Sequence, residues 1–302
     1  MTQFSSDSSA GPSSIPPEAR SDNSMADQIR GSNRGRPGRW FGSAVLGVTW
    51  YELRRWLTPM RCLFWATLMM FPVVLIATIL YLLDERQPGQ DHLYLAGLLF
   101  LLLPEVITVL CMLLWVAPIV NEELESQTWI YALVRPGGRG AVLLGKYIVA
   151  VLWTGTCTTC STIICLILAW HEQIQQVTSI AATLIAINWI AAIAYGALFL
   201  LLGTLFQRRA MVISLVYAIL IEATLGWLPA VINRFTVSFR LRSLLIDWLN
   251  VDLEELIDEE LPFLVEVNAT KHLVILATAT GILILISLNY VKRSHIRWQS
   301  EV

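Results

Sequence analysis

Six long apolar runs, separated by short charged stretches, set the pattern of this chain. They lie at about 62–83, 93–120, 143–170, 177–206, 210–232 and 272–291. Each reaches about 20 residues, the length needed to carry a helix across a hydrocarbon layer of ~30 Å at ~1.5 Å per residue. Pro72 interrupts the first run, and Pro104 and Pro118 interrupt the second. Proline is tolerated inside a span because neighbouring helices and water satisfy the freed backbone groups. The pattern therefore predicts an all-α, polytopic membrane protein of six transmembrane helices.

Two segments precede the first run. Residues 1–38 are rich in Ser, Pro, Gly, Asp and Arg and almost lack large apolar side chains. Such a stretch buries too little surface to fold, and a disordered tail is expected. It has no apolar core followed by small-residue cleavage chemistry, so it does not read as a signal peptide. Residues 40–60, WFGSAVLGVTWYELRRWLTPM, place Trp40, Trp50, Tyr51 and Trp56 around Arg54 and Arg55. Aromatic and basic groups together suit the membrane–water boundary, which predicts an amphipathic interfacial helix leading into the first span. A helix packed in a cytosolic core is the alternative. The transmembrane domain is then expected over 39–302.

Composition agrees. Hydrophobic residues make up 56% of the chain and charged residues 15%, against roughly 25% charged in ordinary soluble domains. A net charge of −2 offers no basic surface for nucleic acid. The five cysteines, Cys62, Cys111, Cys157, Cys160 and Cys165, all sit in apolar runs, which argues against a disulfide framework.

The basic residues orient the chain. Arg30, Arg34, Arg36, Arg39, Arg54, Arg55 and Arg61 fall on one side, with Arg135, Arg139, Lys146, Arg208, Arg209, Lys292, Arg293 and Arg297. The other side has Arg86, Arg234, Arg240, Arg242 and Lys271. The positive-inside rule makes the first side cytosolic and puts both termini there. The segment 233–271 is then external. In it Leu241, Leu244, Leu245, Trp248 and Leu249 recur at helical spacing, predicting a short amphipathic helix. The acidic run from Asp252 to Glu260 reads as a solvated face, with cation or substrate contact as the alternative.

Some polar groups fall inside the runs. Glu105 lies 12 residues past Leu93, and Glu222 lies 12 past Ala210. At ~1.5 Å per residue each is about 18 Å deep, near the midplane. Carboxylates there are costly and face protein or a cavity. They either line a translocation path or hold helices together through hydrogen bonds. The stretch TGTCTTCST, Thr154 to Thr162, is rich in small and hydroxyl residues and suits close helix packing or a subunit contact. Its Cys157-x-x-Cys160 has no second pair and is a weak metal or redox signal.

GAVLLGKY, Gly140 to Tyr147, is one residue short of the phosphate-binding motif G-x-x-x-x-G-K-[ST]. That motif needs a strand before it, a helix after it and a hydroxyl for Mg²⁺. Here Tyr147 replaces the hydroxyl residue and an apolar run follows. No nucleotide, metal or other cofactor is expected in this chain.

The longer stretch around it, NEELESQTWIYALVRPGGRGAVLLGKY from Asn121 to Tyr147, resembles the loop between spans two and three of ABC-2-type permeases. Glu123 and Glu125 supply the acids, Thr128 the threonine, Pro136 and Arg139 the turn, and LLGKY the opening of the third span. Gln127 stands where glycine is usual. YELRR, Tyr51 to Arg55, resembles the amphipathic helix that precedes span one in that family, and the six-span layout with a larger external segment is similar. The resemblance covers about 40–297. It implies that ATP and Mg are bound and ATP is hydrolysed by a partner ATPase subunit, docked on a helix over 121–135. Glu122, Glu123 and Glu125 would give that contact charge. Trp129 and Tyr131 would give it apolar surface, within a loop that ends at Arg135 and Pro136. It also implies a second permease copy or paralogue, placement in a cell membrane, and export. A glutamate in span five recurs in the family, which favours a role for Glu222. The alternatives are a membrane scaffold and an intramembrane enzyme. For the enzyme, HEQIQ at 171–175 lacks the second His of H-E-x-x-H, and no G-x-S-x-G occurs.

Overall fold

The computed structural model describes residues 37–83, 91–125, 138–168, 174–224, 233, 236–249 and 268–293. Among these described residues 94% are helical and none is in a strand, so the all-α expectation holds. The chain divides into two units, Met1–Ser43 and Ala44–Val302. The described part of the first unit is the start of helix α1, Pro37–Trp56. That helix begins three residues earlier than the aromatic pattern suggested. Pro37 suits a first helical position because its ring fixes φ and its missing N–H would have no intrahelical acceptor there. The remainder of the tail, 1–36, lies outside the described residues.

Helix α2, Pro59–Leu83, again opens on proline and runs through Pro72. The second predicted span is built from pieces: α3 (Asp91–Phe100), a π-helical stretch (Leu101–Ile107), α4 (Thr108–Trp115) and α5 (Ile119–Glu125). Helices α6 (Gly138–Leu168) and α7 (Ile174–Leu205) are long and unbroken. Then come α8 (Ala210–Tyr217), a second π-helical stretch (Ala218–Thr224), α9 (Val237–Trp248) and α10 (Ala269–Arg293).

Among the described residues, five helical segments are long and apolar enough to cross a membrane: Pro59–Leu82, Leu95–Glu123, Gly138–Leu168, Thr178–Leu205 and Ala269–Val291. They match the first, second, third, fourth and sixth apolar runs. The described part of the fifth run, Ala210–Thr224, is shorter. At ~1.5 Å per residue it reaches roughly 22 Å, and 225–232 lie outside the described residues.

Within the second unit α7 is the hub, packing against α4, α6, α8, α9 and α10. Its Leu184, Ile187, Tyr195 and Phe199 are fully buried. By contrast the apolar window of α2 is only 17% buried and that of α10 only 22%, so both turn apolar side chains such as Leu63, Phe71, Val74 and Leu285 outward. In a bilayer that is the stable arrangement, because lipid tails are as apolar as these side chains.

The small-residue stretch of α6 packs within the chain. A Cβ on Gly155 would come within 2.7 Å of the Trp189 ring. Asn188 Nδ2 donates to Thr162 Oγ1 at 2.9 Å, and Ser161 Oγ donates to the Met69 carbonyl at 3.0 Å. These contacts join α6 to α7 and to α2.

The helix predicted from Leu241 to Leu249 forms as α9. Thr236 caps it, its Oγ1 accepting from Phe239 N at 3.3 Å, which satisfies one of the donors left over at a helix start. Leu241, Leu244 and Leu245 are buried, on the side that meets α7 and α10. The acidic run 252–260 lies outside the described residues.

Candidate functional site

The near phosphate-loop turns out to be the first two turns of α6. Its glycines are helical and no described strand precedes them, so the backbone does not form the wrap that a phosphate loop needs. Each of its last three residues has another use. A Cβ on Gly145 would come within 2.7 Å of Val48 Cγ1, so glycine here lets α1 lie close on α6. Tyr147 OH donates to the Ile193 carbonyl of α7 at 2.8 Å. Between them Lys146 points into an ion cluster.

In that cluster Lys146 Nζ pairs with Glu123 of α5 and stands 4.0 Å from Glu52 Oε1 of α1. Arg55, more exposed, stands 3.7 Å from the same Glu52 oxygen. The side chains of Lys146 and Glu52 are each 7% exposed and that of Glu123 9%. Two carboxylates and two cations balance, which offsets part of the cost of removing them from water. The cluster ties together three segments that the resemblance singled out separately: Glu52 from YELRR, Glu123 from the start of the loop and Lys146 from LLGKY.

Arg61 lies beside it, its guanidinium 5.4 Å from the Trp56 ring centroid and 5.8 Å from that of Trp115. The two rings are 4.6 Å apart. A cavity of about 20 Å³ between these groups is bounded by Glu52, Arg61, Trp115 and Lys146, with room for one water.

Other predicted loop residues divide. Glu122 is exposed while its neighbour Glu123 is turned inward. Glu125 ends α5, and Arg139 is half-buried in the first turn of α6. Thr128, Trp129, Tyr131, Arg135 and Pro136 lie outside the described residues.

A second polar cluster gathers the two glutamates of the second and fifth apolar runs. Both sit on π-helical stretches, Glu105 on Leu101–Ile107 and Glu222 on Ala218–Thr224. Pro104 accounts for the first, since its ring has no N–H and would press on the carbonyl four residues back in a regular helix. A threonine closes each stretch by bonding five residues back, Thr108 Oγ1 to the Leu103 carbonyl at 3.0 Å and Thr224 Oγ1 to the Ile219 carbonyl at 2.9 Å. Single π-turns of this kind occur often at functional sites.

The start of α9 is where the two glutamates meet. Ser238 Oγ donates to Glu105 Oε1 at 2.5 Å, and Arg242 Nη2, one turn on, is 3.5 Å from the same oxygen. Glu222 accepts from Val237 N at 3.3 Å and from Ser238 N at 3.1 Å. It also accepts from Tyr217 OH at 3.3 Å and Tyr195 OH at 3.4 Å. A carboxylate at a helix N-terminus satisfies leftover N–H donors and complements the helix dipole. At its other end α9 carries Asp247, whose Oδ2 accepts from Ala269 N at 3.0 Å. Helix α9 is therefore held to the second and fifth apolar segments at one end and to α10 at the other.

Sequence reasoning placed Glu52 and Lys146 only within motifs and Arg242 only as an external charge, and it passed over Tyr195, Tyr217 and Ser238. The four-residue step from Ser238 to Arg242 was the available signal, since it puts both on one helix face. Cys157 and Cys160 are free thiols, and among the described residues no group of three or more His, Cys, Asp or Glu is gathered for a metal. In comparisons with known proteins no family model and no curated protein matches the chain.

Proposed function

We propose that this chain is the membrane-spanning subunit of an ATP-driven exporter, of the ABC-2 permease type, with ATP bound and hydrolysed in a separate subunit. Six spans cross a cell membrane, with α1 along its cytosolic face and both termini in the cytosol. A second copy or paralogue completes the path. The ATPase docks on the loop 121–135.

The observation that carries this reading is the cluster of Glu52, Glu123 and Lys146. It joins the helix that enters the loop, the helix that leaves it and the helix that precedes span one. A push on the loop from an ATPase then moves three segments as a unit. Such a displacement biases the membrane segments between two states only if the contacts differ between those states. The glutamate clasp on α9 holds the second and fifth segments to one helix, where such a change in contacts would be felt. Affinity capture of an ATPase subunit by the full-length chain tests the proposal. Capture of an ATPase whose hydrolysis drives transport supports it. A chain that transports with no ATPase present overturns it.

A further inference from the structure

The face of α1 turned away from the core has a composition of its own. Val45, Glu52 and Trp56 are buried at helical spacing, while Leu46, Trp50 and Tyr51 are 71%, 59% and 66% exposed. The next turn along that outer face carries Arg54 and Arg55, both exposed. The one carboxylate of α1, Glu52, is buried against Lys146 and also stands 3.7 Å from Arg55, which leaves Arg54 the unpaired cation of the two. The outer face is thus apolar, aromatic and purely basic.

We infer that this face binds an anionic phospholipid, its headgroup phosphate on Arg54 and Arg55 and its acyl chains along the apolar start of α2. Three observations point to that occupant. Arg54 lies over the Trp50 ring, 4.8 Å from its centroid, and makes no ion pair among the described residues. Its side chain is exposed, so the guanidinium N–H groups are open to a phosphate, which arginine can bind in a bidentate way that lysine cannot. The arginines stand just ahead of Pro59, where the first membrane-length helix begins, which is headgroup level. Beyond them Leu57, Met60 and Leu63 are 62%, 78% and 65% exposed, an apolar track for the chains. The inference rests on the chain lying in a bilayer with α1 at its surface, and not on any ATPase partner.

The test is lipid retention by the purified full-length protein. Wild type and variants are washed in mild detergent, offered phosphatidylglycerol and phosphatidylcholine in equal amounts, and the retained lipid is measured by mass spectrometry. A basic group near an anionic surface contributes about fivefold in affinity. Wild type is expected to favour phosphatidylglycerol by about tenfold or more. Arg54→Gln is expected to reduce that preference about fivefold, and Arg54→Gln with Arg55→Gln to abolish it. Arg54→Gln breaks no ion pair, so it keeps the test valid if the double variant folds poorly, which size-exclusion chromatography reveals. Equal retention of the two lipids by wild type overturns the inference, as does an undiminished preference in a monodisperse Arg54→Gln. In the second case the face is covered by something other than an anionic lipid, a partner protein included. Because no ATPase enters the assay, its outcome is independent of the transporter proposal.

Discussion

Lys146 and Glu123 face each other across the two ends of the loop between the second and third membrane-length helices, and they form a buried ion pair. Truncating one member of such a pair leaves a charge buried without compensation, which costs about 3–5 kcal/mol, whereas replacing both with apolar groups is often close to neutral. Lys146→Met should therefore destabilise the protein by about that amount, since Glu52 and Glu123 are both left behind. Glu52→Gln and Glu123→Gln combined with Lys146→Met should recover most of the loss. Unfolding in detergent, followed by intrinsic tryptophan fluorescence, measures both. The same lysine occupies the position of a phosphate-loop lysine, so ATP binding separates the two roles. Lys146→Ala is expected to leave ATP binding by the assembled complex intact. Saturable ATP binding by the isolated chain, lost in that variant, would restore the phosphate-loop reading.

Glu222 presents a sharper distinction. Its carboxylate receives two backbone N–H groups and two tyrosine hydroxyls. Glu222→Gln keeps the volume and one acceptor oxygen but removes the charge. Glu222→Leu removes every acceptor and leaves buried donors unpaired, at about 1–3 kcal/mol. If the group only holds α9 in place, Gln should fold and transport and Leu should be less stable. If its ionisation takes part in transport, Gln should express at the wild-type level and fail to transport. Stability and transport both unchanged in Leu would exclude both roles. Ser238→Ala is a useful companion: it removes the bond to Glu105 yet keeps the backbone N–H that Glu222 accepts.

How much of this was legible in the sequence depends on the range of each interaction. Apolar runs are local, and five of them appear as membrane-length helices. The helical repeat of Leu241, Leu244 and Leu245 was enough to place α9. The bond from Ser238 to Glu105 spans 133 positions, and nothing in either neighbourhood announces the other. Arg242 illustrates the same limit: counted as one more charge in an external segment, it lies against a glutamate of the second span. The motif GAVLLGKY shows the opposite case, where local pattern misdirects. Its glycine and lysine have the spacing of a phosphate loop, but Gly145 is small because α1 crosses there, and Lys146 is cationic because two carboxylates from other helices converge on it.

The topology expected from the distribution of basic residues is open to a direct test. A reporter fused after Val302, or inserted near Gly137, should report the cytosol. One inserted near Glu255 should report the exterior. A cytosolic signal at Glu255 would remove the span between Ala210 and residue 232 and leave five, the number of membrane-length helices described.

The loop proposed to dock an ATPase yields the prediction that bears most on function. Its aromatic residues and its acids should contribute unequally to holding an ATPase. Buried aromatic anchors carry more interface energy than charges at a rim, so Trp129→Ala or Tyr131→Ala should weaken ATPase association more than Glu122→Ala does. Glu122 is exposed and suits a rim contact. Glu123 belongs to a different class. Its carboxylate is engaged by Lys146 inside the chain, so Glu123→Ala should lower the stability of the protein itself, and any loss of association should follow that. Pull-down of the ATPase at matched membrane expression, alongside the melting behaviour of each variant, separates the two effects. The aromatic variants should lose association and transport with an unchanged melting profile, while the separated ATPase retains its basal hydrolysis. Removing Trp129, Tyr131, Glu122 and Glu125 together without any effect on association or transport would show that this loop is not the coupling element, and the resemblance that rests on it would then fall.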